Sequence, residues 1–182
     1  GQSMSTPWQT IDKVNQTAFM AGDRVLFKRG DTWRETLVIT SSGSPSAYLL
    51  FGAYGVGDKP RILGSARVSE WDRYSGNVWL AETALQRPHV KHLVSIFFGE
   101  QDGNISWGQT LNVKTDEESR CNASQLTQER DWCWDDPSSS LYVYSSTPPS
   151  SAYRFIEVPQ RHGPVTMNSH NVQEYIMIDG LE

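Results

Sequence analysis

The stretch RVLFKRGDTWRETLVITSSGSPSAYLLFGAYGVGDKPRIL, residues 24–63, decides the fold, because turn residues divide it into four short apolar segments. The segments are RVLF, TLVI, YLLF and RIL, and they begin at positions 24, 36, 48 and 61. The connections are too short for helical crossovers. Hairpins would favour alternating residues and two-residue turns, which these segments lack. The pattern therefore predicts a solenoid with three such strands in one coil, each stacked on the equivalent strand one coil later.

The residues before this stretch, 1–20, predict an N-terminal capping helix. Thr6 is a suitable N-cap residue, and Pro7 fits the first helical position. Ile11 and Val14 then lie on one face of the helix, at a spacing of three residues. We expect that face to pack against the first β-helix coils, residues 21–65.

The middle of the chain, residues 66–150, breaks the rhythm of short apolar segments. The arms 131–134 and 141–144 alternate in character and flank a turn of Asp, Pro and Ser residues, which predicts a β hairpin. We expect an inserted antiparallel β subdomain here. The segments RFIEV, PVTM and YIMI restore the rhythm in residues 151–182, which predicts resumed solenoid strands and an all-β fold.

Composition excludes several classes of protein. The chain has 182 residues and a net charge of −5, and it contains no long apolar run that could span a membrane. The acidic balance, with no basic stripe, excludes a nucleic-acid binder. Cys121 and Cys133 fit one disulfide in an exported chain, or two buried thiols. No Cys and His spacing predicts a metal site.

Several stretches together resemble the N-terminal part of right-handed parallel β-helix proteins that act on carbohydrates. They are AGDRVLFKRGDTW from residue 21, FGAYG from 51, KPRI from 59, NVW from 77, DWCWD from 131, LYVYS from 141 and YIMIDGLE from 175. The resemblance implies a polysaccharide partner and a secreted or periplasmic location. It implies no cofactor for this chain, and it leaves room for calcium in a full-length protein.

The resemblance favours a lyase that acts on a uronic-acid polysaccharide, with a β-helix glycoside hydrolase as an alternative. A lyase needs a base and a cation that neutralises the uronate carboxylate. Arg161 and His162 are the catalytic candidates, although a plain turn between coils would explain both. Arg87 and Lys91 are substrate-binding candidates, because the two-residue period puts them on one strand face. A solvated strand face is the alternative explanation for that pair.

Tryptophan is abundant, and sugar rings commonly stack on aromatic side chains. We single out Trp79 and Trp107 as substrate-binding candidates, with core packing as the alternative. The catalytic groove of similar proteins lies on later coils, so we expect this chain to be an inactive N-terminal portion of a longer enzyme. A non-catalytic glycan-binding or assembly module, which self-associates through the open solenoid end, is the other hypothesis.

Overall fold

The computed structural model describes residues 1, 3–82, 95–114, 119–161, 163–167 and 171–182. The chain forms two compact units: the first contains Gly1–Gly64 and Gly163–Glu182, and the second is Ser65–His162. Most of the regular structure is strand, which confirms the all-β class. Within the described ranges, no helix has the length and apolar character needed to cross a membrane.

The described elements follow one another in a simple order. They are α1 (Ile11–Asn15), β1 (Arg24–Lys28), β2 (Thr32–Trp33), β3 (Leu37–Ile39), β4 (Leu49–Tyr54), β5 (Arg61–Ile62), β6 (Ser65–Val68), β7 (Asp72–Ser75), β8 (Val78–Glu82), β9 (Phe97–Gly99), β10 (Ile105–Trp107), β11 (Gln109–Thr110), β12 (Val113–Lys114), β13 (Ser119–Arg120), a 3₁₀ turn (Ala123–Gln125), β14 (Asp131–Asp135), β15 (Ser140–Tyr144), α2 (Pro149–Ala152), β16 (Phe155–Pro159), β17 (Val165–Met167) and β18 (Ile176–Ile178).

The strands of the first unit pair in parallel. β4 lies between β1 and β18, β2 pairs with β5, and β3 pairs with β17. Val25 is opposite Phe51, and Phe51 is opposite Ile178, so apolar side chains from successive strands stand side by side. Val25 and Phe51 are buried in the same apolar cluster as Ile11 of the helix.

The pairing differs from the predicted period of three segments per coil. The first apolar segment pairs with the third, since Arg24 lies opposite Leu50. The polar connection between the first two segments contains a strand that the pattern missed, β2, which pairs with β5. Trp33 holds β2 in place, because its ring packs edge-on against Phe27 at 5.3 Å between centroids.

The N-terminal helix is shorter than the sequence predicts. It spans Ile11–Asn15, and Thr10 is its N-cap residue, so the predicted start at Thr6 is wrong. The Asp12 backbone N–H donates to Glu35 Oε2 at 2.9 Å, and this partner from a distant segment helps to fix where the helix begins. The apolar face predicted for the helix is buried.

Asn15 joins this helix to β3. Its side-chain Nδ2 donates to the Thr36 carbonyl at 2.8 Å, and its Oδ1 accepts from the Val38 backbone N–H at 2.8 Å. Both polar ends of the amide are therefore used by one strand, which anchors the last turn of the helix.

The second unit contains two larger sheets. One is antiparallel, with the order β10-β9-β16-β6, and the other has the order β11-β14-β15-β8-β7 with a parallel pair only at β11 and β14. The predicted hairpin is confirmed as the pair β14 and β15. Side chains from both sheets form one buried cluster, which includes Phe98, Trp132, Trp134, Leu141, Val143 and Ile156.

One strand that the sequence assigns to the resumed solenoid belongs instead to the second unit. Phe155–Pro159 pairs antiparallel with β6 on one side and with β9 on the other. Ile156 and Val158 are fully buried in the second unit's cluster, and this burial explains the placement. β17 and β18 do pair with strands of the first unit, in parallel.

A disulfide joins Cys121 to Cys133 in the second unit. Cys133 lies on β14 and is fully buried beside Leu126 and Val78. The bond therefore ties the segment before the 3₁₀ turn to an inner strand of the five-stranded sheet.

Reduction of this disulfide is expected to lower the free energy of unfolding by about 2–4 kcal/mol, because the cross-link restricts the unfolded chain. Thermal unfolding with and without dithiothreitol measures the effect. A variant carrying both Cys121→Ser and Cys133→Ser is the control, since its unfolding should not respond to the reductant. An unchanged midpoint for the unsubstituted chain would contradict the prediction.

Tyr153 should make the stability depend on alkaline pH. The side chain is buried, and this burial, followed by the nearby charge of Glu129, raises the pKa of its hydroxyl to about 12. The unfolded chain has the ordinary value near 10. The folded state therefore holds this proton more tightly, so the stabilisation is complete below about pH 10 and is lost as the pH rises towards 12.

Urea unfolding across this alkaline range tests the Tyr153 prediction. Tyr153→Phe should flatten the decline of stability with pH, whereas Tyr74→Phe, at an exposed tyrosine of the same unit, should keep it. Equal declines in Tyr153→Phe and in the unsubstituted chain would contradict it.

Candidate functional site: the outer face of the four-stranded sheet

The four-stranded sheet of the second unit presents a row of side chains on the face opposite its core. Strand alternation puts Phe98 and Ile156 in the core, so their neighbours in sequence face the other way. Across the strands, Trp107 lies opposite Phe97, and Phe97 lies opposite Glu157. Glu157 is in turn opposite Arg67. One row thus runs from an aromatic end to a charged end.

The aromatic end is open to solvent. Trp107 is 65% exposed, although its ring packs against that of Phe97 at 4.8 Å between centroids. Ile105, on the same strand, is also exposed. Phe155 is opposite Gly99 of β9, and its ring covers that glycine. A Cβ added to Gly99 would stand 2.5 Å from the ring. We call these four side chains, Phe97, Ile105, Trp107 and Phe155, the aromatic face.

The charged end is held together by Glu157. Its carboxylate accepts from Ser65 Oγ at 2.6 Å and from Arg67 Nε at 3.2 Å. The Glu157 side chain is largely buried, whereas that of Arg67 is 54% exposed. The Arg67 guanidinium also lies 5.0 Å from the centre of the Phe155 ring. An exposed guanidinium of this kind adds little to stability and can bind a ligand.

Arg161, a predicted catalytic residue, lies at the margin of the charged end. It is half-buried, and its Nη1 donates to the Ser65 carbonyl at 3.5 Å. Arg161 therefore contacts β6 at Ser65, two residues before Arg67 on the same strand. The predicted residues His162, Arg87 and Lys91 lie outside the described residues.

The two predicted tryptophans differ in their surroundings. Trp107 is on the exposed row, as a sugar-binding role requires. Trp79 is buried, its indole N–H donates to the Ser145 carbonyl at 2.9 Å, and Arg73 covers its ring. Trp79 therefore packs within the five-stranded sheet and has no open ring face to offer, which corrects its assignment to substrate binding.

Sequence reasoning missed Arg67, Glu157, Phe97 and Phe155. A signal was available for Glu157, because it is a lone charge between apolar residues in the strand FIEVP. The alternation that buries Ile156 and Val158 turns this carboxylate to the other face. No comparable signal marks Arg67, which acquires its role from the pairing of β6 with β16.

Within the described ranges, no group of three or more His, Cys, Asp and Glu side chains could hold a metal ion. The calcium that the sequence resemblance allowed for a longer protein remains a prediction.

Comparisons with known proteins give a likeness of fold. No protein-family model matches the chain, and no curated protein matches it in sequence. A solved structure of XylC in complex with xylose is similar over 98% of this chain, with a TM-score of 0.70 and 18% identity. A structure of a glycoside hydrolase is similar over 93% of this chain, with a TM-score of 0.51 and 12% identity. The chain spans 32% and 43% of the lengths of those two chains.

The contact between Ser65 and Glu157 is expected to stabilise the second unit more than an exposed ion pair does. A double-mutant cycle with Ser65→Ala and Glu157→Gln should give a coupling energy of about 1–2 kcal/mol, because the carboxylate is shielded from water. The matched cycle uses Lys28→Gln and Asp31→Asn, an exposed pair 3.8 Å apart, and should give less than about 0.5 kcal/mol. Urea unfolding measures both cycles. Equal coupling energies would contradict the prediction.

Proposed function

We propose that this chain is the N-terminal part of a polysaccharide-acting protein and that the aromatic face contacts the sugar chain. The observation that carries the proposal is Trp107, a large ring left 65% exposed on a regular sheet. Exposed apolar patches of this kind commonly mark interaction surfaces. A flat ring offers its face to the C–H groups of a pyranose, and the neighbouring polar groups offer hydrogen bonds to the hydroxyls.

The similar structures support a carbohydrate ligand. One of them is a complex of XylC with xylose, and the other is of a glycoside hydrolase. Each of these two likenesses covers more than nine-tenths of the present chain. A saccharide is therefore the first ligand to test on the aromatic face.

For the fold, we propose that the first unit contains successive coils of a right-handed parallel β-helix, with α1 at its start. The parallel series β1, β4 and β18, together with the pairs β2–β5 and β3–β17, supports this arrangement. Crossovers between parallel strands are right-handed in nearly all proteins. The second unit would then be a β subdomain inserted between β5 and β17.

For the reaction, we propose that the whole protein is an eliminating lyase on a uronic-acid polysaccharide. Arg161 donates to the Ser65 carbonyl, and Arg67 is two residues further along the same strand, so either guanidinium could neutralise a uronate carboxylate. Removal of the C5 proton then needs a base, for which His162 remains the candidate. A glycoside hydrolase, or a glycan-binding module without catalysis, are the alternatives.

We also propose a secreted or periplasmic location. The Cys121–Cys133 disulfide supports it, since such bonds persist in oxidising compartments. Self-association through an open solenoid end remains a prediction of the sequence.

Trp107→Ala is expected to weaken polysaccharide binding about tenfold, because the stacking surface is lost. Affinity electrophoresis in gels that contain xylan, glucuronoxylan or polygalacturonate measures the binding of this chain. Tyr74→Ala is the matched control, because Tyr74 is also an exposed, edge-packed aromatic residue but lies on β7 of the other sheet. The same retention for Trp107→Ala and the unsubstituted chain in every gel would overturn the proposed contact surface.

The reaction class is tested separately on a longer protein that contains this chain. A lyase produces chain ends with a new C4–C5 double bond, which absorbs ultraviolet light. A hydrolase produces reducing ends without that absorbance, and a binding module produces neither. Arg67→Gln should slow the lyase reaction if its guanidinium neutralises the uronate.

A further inference from the structure

We propose that the outer face of the four-stranded sheet selects a largely neutral glycan that carries isolated acidic units. This inference rests on the proposed contact between the aromatic face and a sugar chain, and it names the class of that sugar chain. The outward-facing residues of the four strands are Ile105 and Trp107 of β10, Phe97 and Gly99 of β9, Phe155, Glu157 and Pro159 of β16, and Ser65 and Arg67 of β6. Most of this surface is apolar, and among these described residues only Glu157 and Arg67 are charged.

Arg67 has hydrogen-bond donors that the chain leaves unused. Its Nε donates to Glu157 at 3.2 Å, and no other described residue accepts a hydrogen bond from its two Nη groups. The side chain is 54% exposed, so a ligand can reach those groups. Two neighbouring N–H donors of a planar guanidinium match the two oxygens of a carboxylate. A carboxylate is therefore the ligand group that fits Arg67.

The guanidinium of Arg67 lies at the border of the aromatic face. Its carbon is 5.0 Å from the centre of the Phe155 ring, which belongs to that face. Glu157 occupies the Nε side of the guanidinium, and its own charge repels a second carboxylate there. A ligand carboxylate therefore binds at the Nη groups. These contacts define one place for one carboxylate, beside the rings that the rest of the sugar chain would contact.

The remainder of the outer face disfavours further carboxylates. The rings of Phe97 and Trp107 are 4.8 Å apart, so a sugar unit placed on them meets an apolar surface. A carboxylate above an aromatic ring faces the negative side of its π system and loses water without gaining a cation. β10 and β6 are the two edges of the sheet, three strand spacings or about 14 Å apart. A chain across the strands thus places a neutral unit on Trp107 and an acidic unit at Arg67.

The charges around this face balance one another. Arg161 is a cation at the margin, and Glu70 is an exposed carboxylate just beyond the end of β6. The turn that joins β9 to β10 contains or contacts two carboxylates and two guanidinium groups, which are Glu100, Asp102, Arg130 and Arg154. Because the described surroundings supply no excess of either sign, the preference for an acidic unit depends on its contact with Arg67.

Matched polysaccharides test this preference. Glucuronoxylan and xanthan carry acidic side groups on neutral backbones, and chemical reduction of their carboxyl groups removes the charge but keeps each backbone. At least one of the two should bind this chain about fivefold more tightly than its carboxyl-reduced form, because an exposed ion pair adds a modest free energy. Polygalacturonate has a carboxylate on every unit and should bind about fivefold more weakly than that acidic polysaccharide. Isothermal titration calorimetry at low salt measures the dissociation constants.

Substitutions tie the preference to Arg67. Arg67→Gln should make the acidic polysaccharide and its carboxyl-reduced form bind equally, and detectable binding of the reduced form shows that the variant is folded. Arg24→Gln is the matched control, because it removes the same charge from an exposed arginine of β1 in the first unit. It should keep the advantage of the acidic form. An advantage that persists in Arg67→Gln, or that is lost equally in Arg24→Gln, would overturn the assignment to Arg67.

The outcomes also separate this inference from the proposed contact surface. Equal binding of each acidic polysaccharide and its reduced form, weakened by Trp107→Ala, would overturn the acidic preference and leave the contact surface in place. Polygalacturonate that binds as tightly as the other acidic polysaccharides would overturn the preference for isolated acidic units. If Trp107→Ala weakens binding to none of these polysaccharides, the contact surface and this inference are both wrong.

Discussion

The second unit depends on the two-residue period of β16. Because alternate residues of a strand face opposite sides of its sheet, Ile156 and Val158 enter the core while Glu157 faces outward. A slip of one residue would bury the carboxylate in an apolar cluster and expose both aliphatic chains. β16 is paired on both sides, so the same register also sets the neighbours of Glu157 on β9 and β6. The register of β16 therefore determines both the core of the second unit and the arrangement of the candidate site.

Much of the fold is predictable from the sequence, because short apolar segments between turn residues can be recognised as strands. The segments near residues 24, 36, 48 and 61 all contain strands of the first unit. Which strand pairs with which was not predictable from spacing alone. The pairing of β1 with β4 depends on β2, a strand of two residues in a polar connection. Likewise, the start of α1 depends on Glu35, which reaches Asp12 from a separate segment.

The candidate site was predictable only in part. Trp79 and Trp107 look alike in sequence, since both lie in short β-prone stretches. Their difference arises from strand order, because β8 is an inner strand of its sheet and β10 is an edge strand. An inner strand receives cover from neighbours on both sides, as Arg73 covers Trp79. The carboxylate and guanidinium of the charged end come from segments 90 residues apart, and no local pattern joins them.

The bridging amide of Asn15 has a consequence for making this protein. Asn15, Gln16 and Thr17 form the acceptor tripeptide for N-linked glycans in eukaryotic secretory cells. A glycan attached to Nδ2 would replace one of the two hydrogens of the nitrogen that donates to Thr36. Glycosylation at this asparagine would therefore disturb the contact between α1 and Thr36, and a host that does not glycosylate asparagine avoids this.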